Sequence, residues 1–151
     1  MIRRGAHADL SFMRSMLAHA YHWRVAGLDA DIPQARYTEN WGREGDVAVI
    51  AMEAGHPVGA AWLRLFPASA PGYGFVDEKT PELTIAVVPS RRGHGLGREL
   101  LDALIVKARE AGFGAVSLSV EDDSPAVEFY ERNGFESAGA GHGGLTMIRR
   151  L

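Results

Sequence analysis

Arg91-Arg92-Gly93-His94-Gly95-Leu96-Gly97 is the run whose residue types and spacing best suit a ligand. It follows a stretch that reads as a strand, 82–88. It precedes an apolar stripe, Leu96, Leu100, Leu104, Ala108 and Ala111, that reads as a helix ending near Gly112. The first four amides of a helix have no partner within it and carry partial positive charge. Glycines let the backbone bend and let an anion come close to those amides. Arg91 and Arg92 add charge of a kind suited to bidentate phosphate contacts. A nucleotide-like ligand is the physical expectation. The plainer reading, a tight turn without a ligand, leaves three glycines in five residues unexplained, because glycine lowers helix propensity.

Three phosphate loops are distinguishable by residue type. A P-loop needs Gly-Lys followed by Ser or Thr, but the run continues Gly97-Arg98-Glu99. A dinucleotide loop needs Gly-x-Gly-x-x-Gly. Counted from Gly93 the third glycine falls on Arg98, and counted from Gly95 it falls on Leu100. Glu121 follows the next strand at a spacing suited to a ribose, so a Rossmann-like NAD-binding enzyme stays open as an alternative. The third pattern, Arg-x-x-Gly-x-Gly, is met by Arg92, Gly95 and Gly97.

The elements that position this loop follow from periodicity and punctuation. A short strand near 1–4 leads to a helix over 8–24, where Leu10, Met13, Leu17, Ala20 and Tyr21 share a face. A loop over 27–34 follows, and Pro33 opens a second helix carrying Tyr37 and Trp41. Strands over 46–52 and 57–66 form a hairpin, and 67–79 is a long loop. A strand over 115–120 follows the 96–112 helix, so strands 82–88 and 115–120 should pair in parallel. Ser124 then reads as an N-cap before Pro125, and this helix stops at Asn133-Gly134. Strands over 135–138 and 145–150 flank a glycine-rich turn. The 151 residues, 46% hydrophobic and 23% charged, suit one globular domain over 1–151. No apolar run would span a membrane, no secretory signal opens the chain, and a cytoplasmic location is the default. A net charge of -3 favours neither nucleic acid nor an anionic membrane as partner. Cysteine is absent, which excludes disulfides, thiolate metal sites and a cysteine nucleophile.

The run Val87-Val88-Pro89-Ser90 through Gly97, followed by a helix, resembles the GNAT N-acetyltransferase superfamily. Ser124-Pro125-Ala126-Val127-Glu128-Phe129-Tyr130-Glu131-Arg132-Asn133-Gly134-Phe135 resembles its second cofactor segment, and Thr146–Leu151 resembles its last strand. The resemblance is specific over 82–135 and rests on element order alone in the first half. It implies an α/β GNAT fold, a mixed central sheet with helices on both faces, and acetyl-CoA as co-substrate without a metal. The amides of Gly93, His94, Gly95, Leu96, Gly97 and Arg98, with Arg92, would hold the pyrophosphate. Strand 82–88 would carry a bulge and splay from strand 115–120 to admit the pantetheine arm. A free amide at Val87 or Val88 would bond the thioester carbonyl. Ser124, where the family often has Asn, and Phe129 would contact the cofactor.

Amide formation needs a neutral amine, and a lysine-like amine with a pKa of about 10.4 is roughly one-thousandth neutral at pH 7. A positioned base offsets part of that deficit, and a proton donor helps the thiolate leave. The resemblance implies Tyr130 as the general acid. It implies Glu82 as the base, against the plain reading of a solvated strand-end carboxylate; Asp77 and Glu78 could substitute. Glu121, Asp122 and Asp123 could attract a cationic acceptor. His19 and His22 lie three apart but lack a third ligand, so a metal pair is disfavoured. Of the aromatics Trp23, Trp41, Trp62, Phe66, Tyr73 and Phe75, the loop residues Tyr73 and Phe75 could wall an acceptor cleft. Without a cysteine to carry an acetyl group, direct transfer in a ternary complex to a small-molecule, peptide or protein amine is expected. A non-catalytic acyl-CoA sensor is the other alternative. The acceptor is not readable, nor is the oligomer, although a homodimer is common in the family.

Overall fold

The computed structural model describes residues 1–20, 34–141 and 144–151. Along the chain these form β1 (Ile2–Arg4), α1 (Leu10–Ala20), β2 (Val47–Glu53), β3 (His56–Arg64), β4 (Glu82–Val87), α2 (Leu96–Glu110), β5 (Ala115–Val120), α3 (Ala126–Arg132), β6 (Glu136–Gly141) and β7 (Gly144–Arg150). The end of the expected first helix, with Tyr21, His22 and Trp23, lies outside the described residues, as do most of the loop over 27–34 and Pro33. Among the described residues the second helix is not found. A short 3-10 turn, Gln34–Tyr37, stands in its place, and Trp41 lies beyond it.

One sheet runs in the order β1-β2-β3-β4-β5-β7-β6. Among the described residues only β4 and β5 pair in parallel; the other pairs are antiparallel. β2 reads as an unbroken apolar run because both faces are covered. Ala48 and Ile50 pack on the α1 face, whereas Val49 and Ala51 pack on the α2 face. α1 buries Met13, Met16 and Leu17, and α2 buries Leu96, Leu100, Leu101, Leu104, Ile105 and Ala108. Each fully buried Leu or Ile is worth about 1.5–3 kcal/mol, so the α2 stripe, not helix propensity, holds that helix in place.

β4 stays with β3 in unbroken register, from Arg64↔Glu82 to Gly59↔Val87. β5 stays with β7, from Ala115↔Arg150 to Val120↔Leu145. Between β4 and β5 the register holds one pair, Glu82↔Ser117, and beyond it the strands part. The expected splay is therefore present. The expected bulge in β4 is not: the register shifts fall at Ala51/Met52 and Ser137/Gly139. A strand that simply loses its neighbour on one side needs no extra residue to open a gap.

Candidate active site

The fork between β4 and β5 opens into a cleft of about 790 Å³. Leu83, Ile85 and Val87 line it from β4, with Leu118 and Val120 from β5. These side chains belong to the α2 face. Thr84, Ala86 and Ser119 also line it, and strand alternation puts them on the α1 face. His19 and Ala20, at the end of α1, complete that side. The gap thus passes through the sheet, and molecules on opposite faces can meet in it.

At one mouth lies the glycine loop. Gly93 and Gly95 both have φ of +82°, and Gly95 is the N-cap of α2. A Cβ at either would meet nothing within 4 Å, so glycine is required here by backbone conformation rather than by space. The first α2 amide with a helical acceptor is that of Glu99, which donates to the Gly95 carbonyl at 3.2 Å. Among the described residues the amides from Gly93 to Arg98 have no acceptor. Six donors and a helix N-terminus facing open space suit an anion such as a diphosphate. Gly93, Gly95, Leu96, Gly97 and Arg98 line the cleft, with Arg91 and Arg92. His94 is exposed and does not line it, so only its amide remains a candidate contact. Arg92 Nε donates to the Val87 carbonyl at 3.4 Å, and Arg91 Nε to Glu53 Oε1 at 2.5 Å.

α3 carries Tyr130 to the same cleft by local means. Ser124 Oγ accepts from the Ala126 amide at 3.1 Å and Pro125 already has helical dihedrals, so the expected N-cap is made. At the other end the Phe135 amide donates to the Tyr130 carbonyl and the Gly134 amide to the Glu131 carbonyl. That is a Schellman ending, whose usual apolar contact is here Tyr130 against Phe135, edge-to-face at 5.4 Å. Phe129 packs edge-to-face on Tyr130 at 5.2 Å. Ser124, Phe129 and Tyr130 all line the cleft. The Tyr130 hydroxyl makes no hydrogen bond among the described residues, and burial pushes its pKa well above the usual phenol value. It therefore stays protonated throughout the physiological range.

Of the two candidate amides on β4, that of Val88 donates to the Val58 carbonyl at 2.9 Å and is taken. Alternate residues of an antiparallel ladder point to the same neighbour. The Val87 amide therefore points the other way, into the fork.

Glu82 is not a solvated carboxylate: it is 1% exposed. Its Oε2 accepts from the Tyr37 hydroxyl, and its Oε1 from the Gly74 amide at 2.9 Å. The Tyr73 amide donates to the Tyr37 hydroxyl at 2.7 Å. Glu82 stands behind the cleft wall rather than on it. Tyr73 is core, stacked on Tyr37, and Phe75 packs on the same cluster, so neither lines the cleft. The acidic substitutes serve the loop instead. Hydrogen bonds from the Thr80 side chain and the Lys79 amide hold the Asp77 carboxyl below its usual pKa, and Glu78 Oε2 accepts from the Ala68 amide. Glu121 lines the cleft; Asp122 and Asp123 do not. Sequence reasoning missed Tyr37 as the partner of Glu82, and it missed Thr84. The visible signal for Thr84 was a hydroxyl among the apolar residues Leu83, Ile85, Ala86 and Val87 of β4.

Residues 12–135 match the acetyltransferase (GNAT) family. The chain belongs to that family. The domain is 32% identical over 119 residues to a mycothiol acetyltransferase of Propionibacterium freudenreichii, covering 78% of this chain and 36% of the relative. It is 30% identical to that of Catenulispora acidiphila, covering 78% and 37%. The chain thus spans little more than a third of the length of these relatives. Its fold matches a ribosomal-protein-alanine N-acetyltransferase from Brucella melitensis with a TM-score of 0.74 at 25% identity, covering 100% and 99% of the two chains. It also matches the Salmonella typhimurium YncA protein solved with acetyl-CoA, TM-score 0.74 at 22% identity, covering 100% and 93%. Fold and family are those of the GNAT acetyltransferases. The Rossmann alternative falls, since a GNAT sheet with one parallel pair is not a doubly wound one.

Proposed function

We propose that this GNAT domain moves the acetyl group of acetyl-CoA directly to a primary amine, with both substrates bound at once. The fork that passes through the sheet carries this reading: one ligand can enter from the α2 face and another from the α1 face. The six unpaired amides of residues 93–98 and Arg92 hold the diphosphate. Ser124 and Phe129 flank the arm. Acetyl-CoA supplies an activated thioester carbonyl. The Val87 amide holds its oxygen and stabilises the charge that develops there on attack. Tyr130 gives its proton to the departing sulfur. Burial keeps the phenol protonated, so its proton is in place when the sulfur departs. The chain has no cysteine to hold an acetyl intermediate. Glu82 is the base, acting at one remove from the cleft.

The relatives' names point to two classes of acceptor, a small molecule and the N-terminus of a protein. Thermal-shift measurements with acetyl-CoA, NAD and ATP test the first half of this reading. Acetyl-CoA alone should stabilise the chain, by about 2.7 kcal/mol at 100 times Kd. Thiol release over a panel of small primary amines and alanine-ended peptides tests the second half. No release with any of them would reject catalysis.

A further inference from the structure

β4 and β5 share one register pair, Glu82↔Ser117, and β4 carries no bulge to hold them apart beyond it. A single pair is a hinge rather than a brace. Yet the two arms of the fork carry different parts of the site: the Val87 amide is on β4, and Tyr130 is on α3, which follows β5. One residue touches both arms. The Gly74 amide donates to Glu82 Oε1 on β4 at 2.9 Å. A Cβ on Gly74 would lie 2.5 Å from the Leu118 carbonyl carbon, 2.7 Å from its oxygen and 2.8 Å from the Ser119 nitrogen. All three are backbone atoms of β5 just past the fork, and such distances fall well inside a contact optimum of about 3.5–4.0 Å. Gly74 is not among the glycines with positive φ, so space rather than conformation requires glycine here. β5 is shaped to receive it. Val116, Leu118 and Val120 point to the α2 face, so the small side chains of Ser117 and Ser119 turn to the α1 face and leave the backbone between them bare. Tyr73 and Phe75, on either side of Gly74, pack into the α1-face core and anchor the loop there.

We propose that Gly74 is a positioning residue: through it the 67–81 loop straps β4 to β5, sets the opening of the fork, and so fixes the Val87 amide relative to the Tyr130 hydroxyl. This deepens the function proposed above and rests on it. Gly74 touches no reacting atom and does not line the cleft. Its effect is geometric. The thioester oxygen must sit on a donor of one arm while the sulfur meets the acid carried by the other, and a misplacement of about 1 Å can cost about 100-fold in rate. The amides of residues 93–98 belong to one short stretch of chain, so the grip on a diphosphate does not depend on the strap. Loss of the strap should therefore harm turnover and spare cofactor binding.

Gly74→Ala tests the strap in the full chain, with acetyl-CoA and the acceptor returned by the amine panel. The added methyl fits only if the loop or β5 moves. Turnover, read as kcat, should fall about 10- to 100-fold, while acetyl-CoA affinity by calorimetry stays within about 3-fold of wild type. Tyr130→Phe, worth about 100-fold in the wild type, should cost about 10-fold or less on top of Gly74→Ala, because a displaced acid has less to lose. Asp9→Asn loosens the fold beside β1 and touches neither arm, so it should keep the wild-type kcat. A wild-type kcat in Gly74→Ala, an equal loss of cofactor affinity, an additive double variant, or an equal fall in Asp9→Asn would overturn the proposal. Crystal structures of the wild type with and without acetyl-CoA need neither turnover nor a folded variant. Gly74 staying within about 4.5 Å of the Leu118 backbone with the fork filled supports the strap, and its lifting away overturns it. A wild type that acetylates no amine counts against the parent reading, and the crystal structures then decide on the strap.

Discussion

On the α2 face, the features at the cleft come from short stretches of chain; on the α1 face, the network behind its wall comes from residues far apart in sequence. The glycine loop and the N-terminus of α2 span 93–98, and the Schellman ending that sets Tyr130 spans 130–135. Across the sheet, Tyr37 reaches Glu82 and Tyr73, 45 and 36 residues away. Arg64 joins Asp46 in a fully buried ion pair at 2.7 Å, donates to the carbonyls of Arg36 and Glu39, and lies over the Trp41 ring at 5.3 Å. One face is set by local backbone chemistry, the other by long-range side-chain anchors. The first should tolerate loss of stability in the second as long as the sheet survives, and perturbing each should leave a different signature.

The sharpest break is Arg64→Ala. Removing one partner of a buried ion pair strands the other, and a loss of about 3–5 kcal/mol is expected in urea unfolding. A loss under about 1 kcal/mol would mean the α1 face is not pinned there. Next is Tyr130→Phe, which keeps the ring packing. Turnover should fall about 100-fold, near 2.7 kcal/mol, with acetyl-CoA affinity unchanged. The same variant sharpens the electrostatics. The phenol of Tyr130 ionises at a higher pH folded than unfolded, so it favours the fold below the unfolded value near 10 and that contribution fades above it. The variant should lose less stability than the wild type on going to strongly alkaline pH.

Gly95→Ala attacks the local half alone. An alanine in the left-handed region is strained by about 1–2 kcal/mol, and relief by bending the loop should weaken acetyl-CoA roughly 10-fold. Unchanged affinity in calorimetry would show that the loop's conformation does not matter to the ligand. The smallest effect belongs to Asp9, which accepts from the Ala6 amide and pairs with Arg3 at 2.7 Å. The hydrogen bond from Arg3 holds its pKa below the usual value. Its contribution is therefore present above the unfolded carboxylate pKa, about 3.9, and is lost as pH falls through the lower folded value. Arg3 is 38% exposed, so Asp9→Asn should cost about 1 kcal/mol at neutral pH. Denaturation curves of the two proteins should converge in acid.

Legibility follows the same division. Arg92, Gly95 and Gly97, the Ser124-Pro125 cap and the Asn133-Gly134 stop were readable because each acts within a turn or two of its own backbone. Pro33 as a helix opener predicts a helix through Tyr37 and Trp41, where the structure has a 3-10 turn at Gln34–Tyr37. What places Tyr37 is Glu82 and the aromatic cluster of Phe66 and Tyr73, which no window of neighbours contains. The sequence offers Glu82 as either a base or a solvated strand-end carboxylate and does not show its burial, which depends on the 67–81 loop folding back over it. The bulge expected in β4 was replaced by a simple parting of strands, because each of β4 and β5 has a better partner on its other side.

The order of residues was enough to specify the glycine turn before α2, the ends of α2 and α3, and the family, because amides, glycines and caps act over a few residues. Three-dimensional packing settled the course of the cleft through the sheet and the retreat of Glu82 behind its wall. Those depend on which strand finds which neighbour, and strand pairing is a contest among distant segments that local chemistry does not judge.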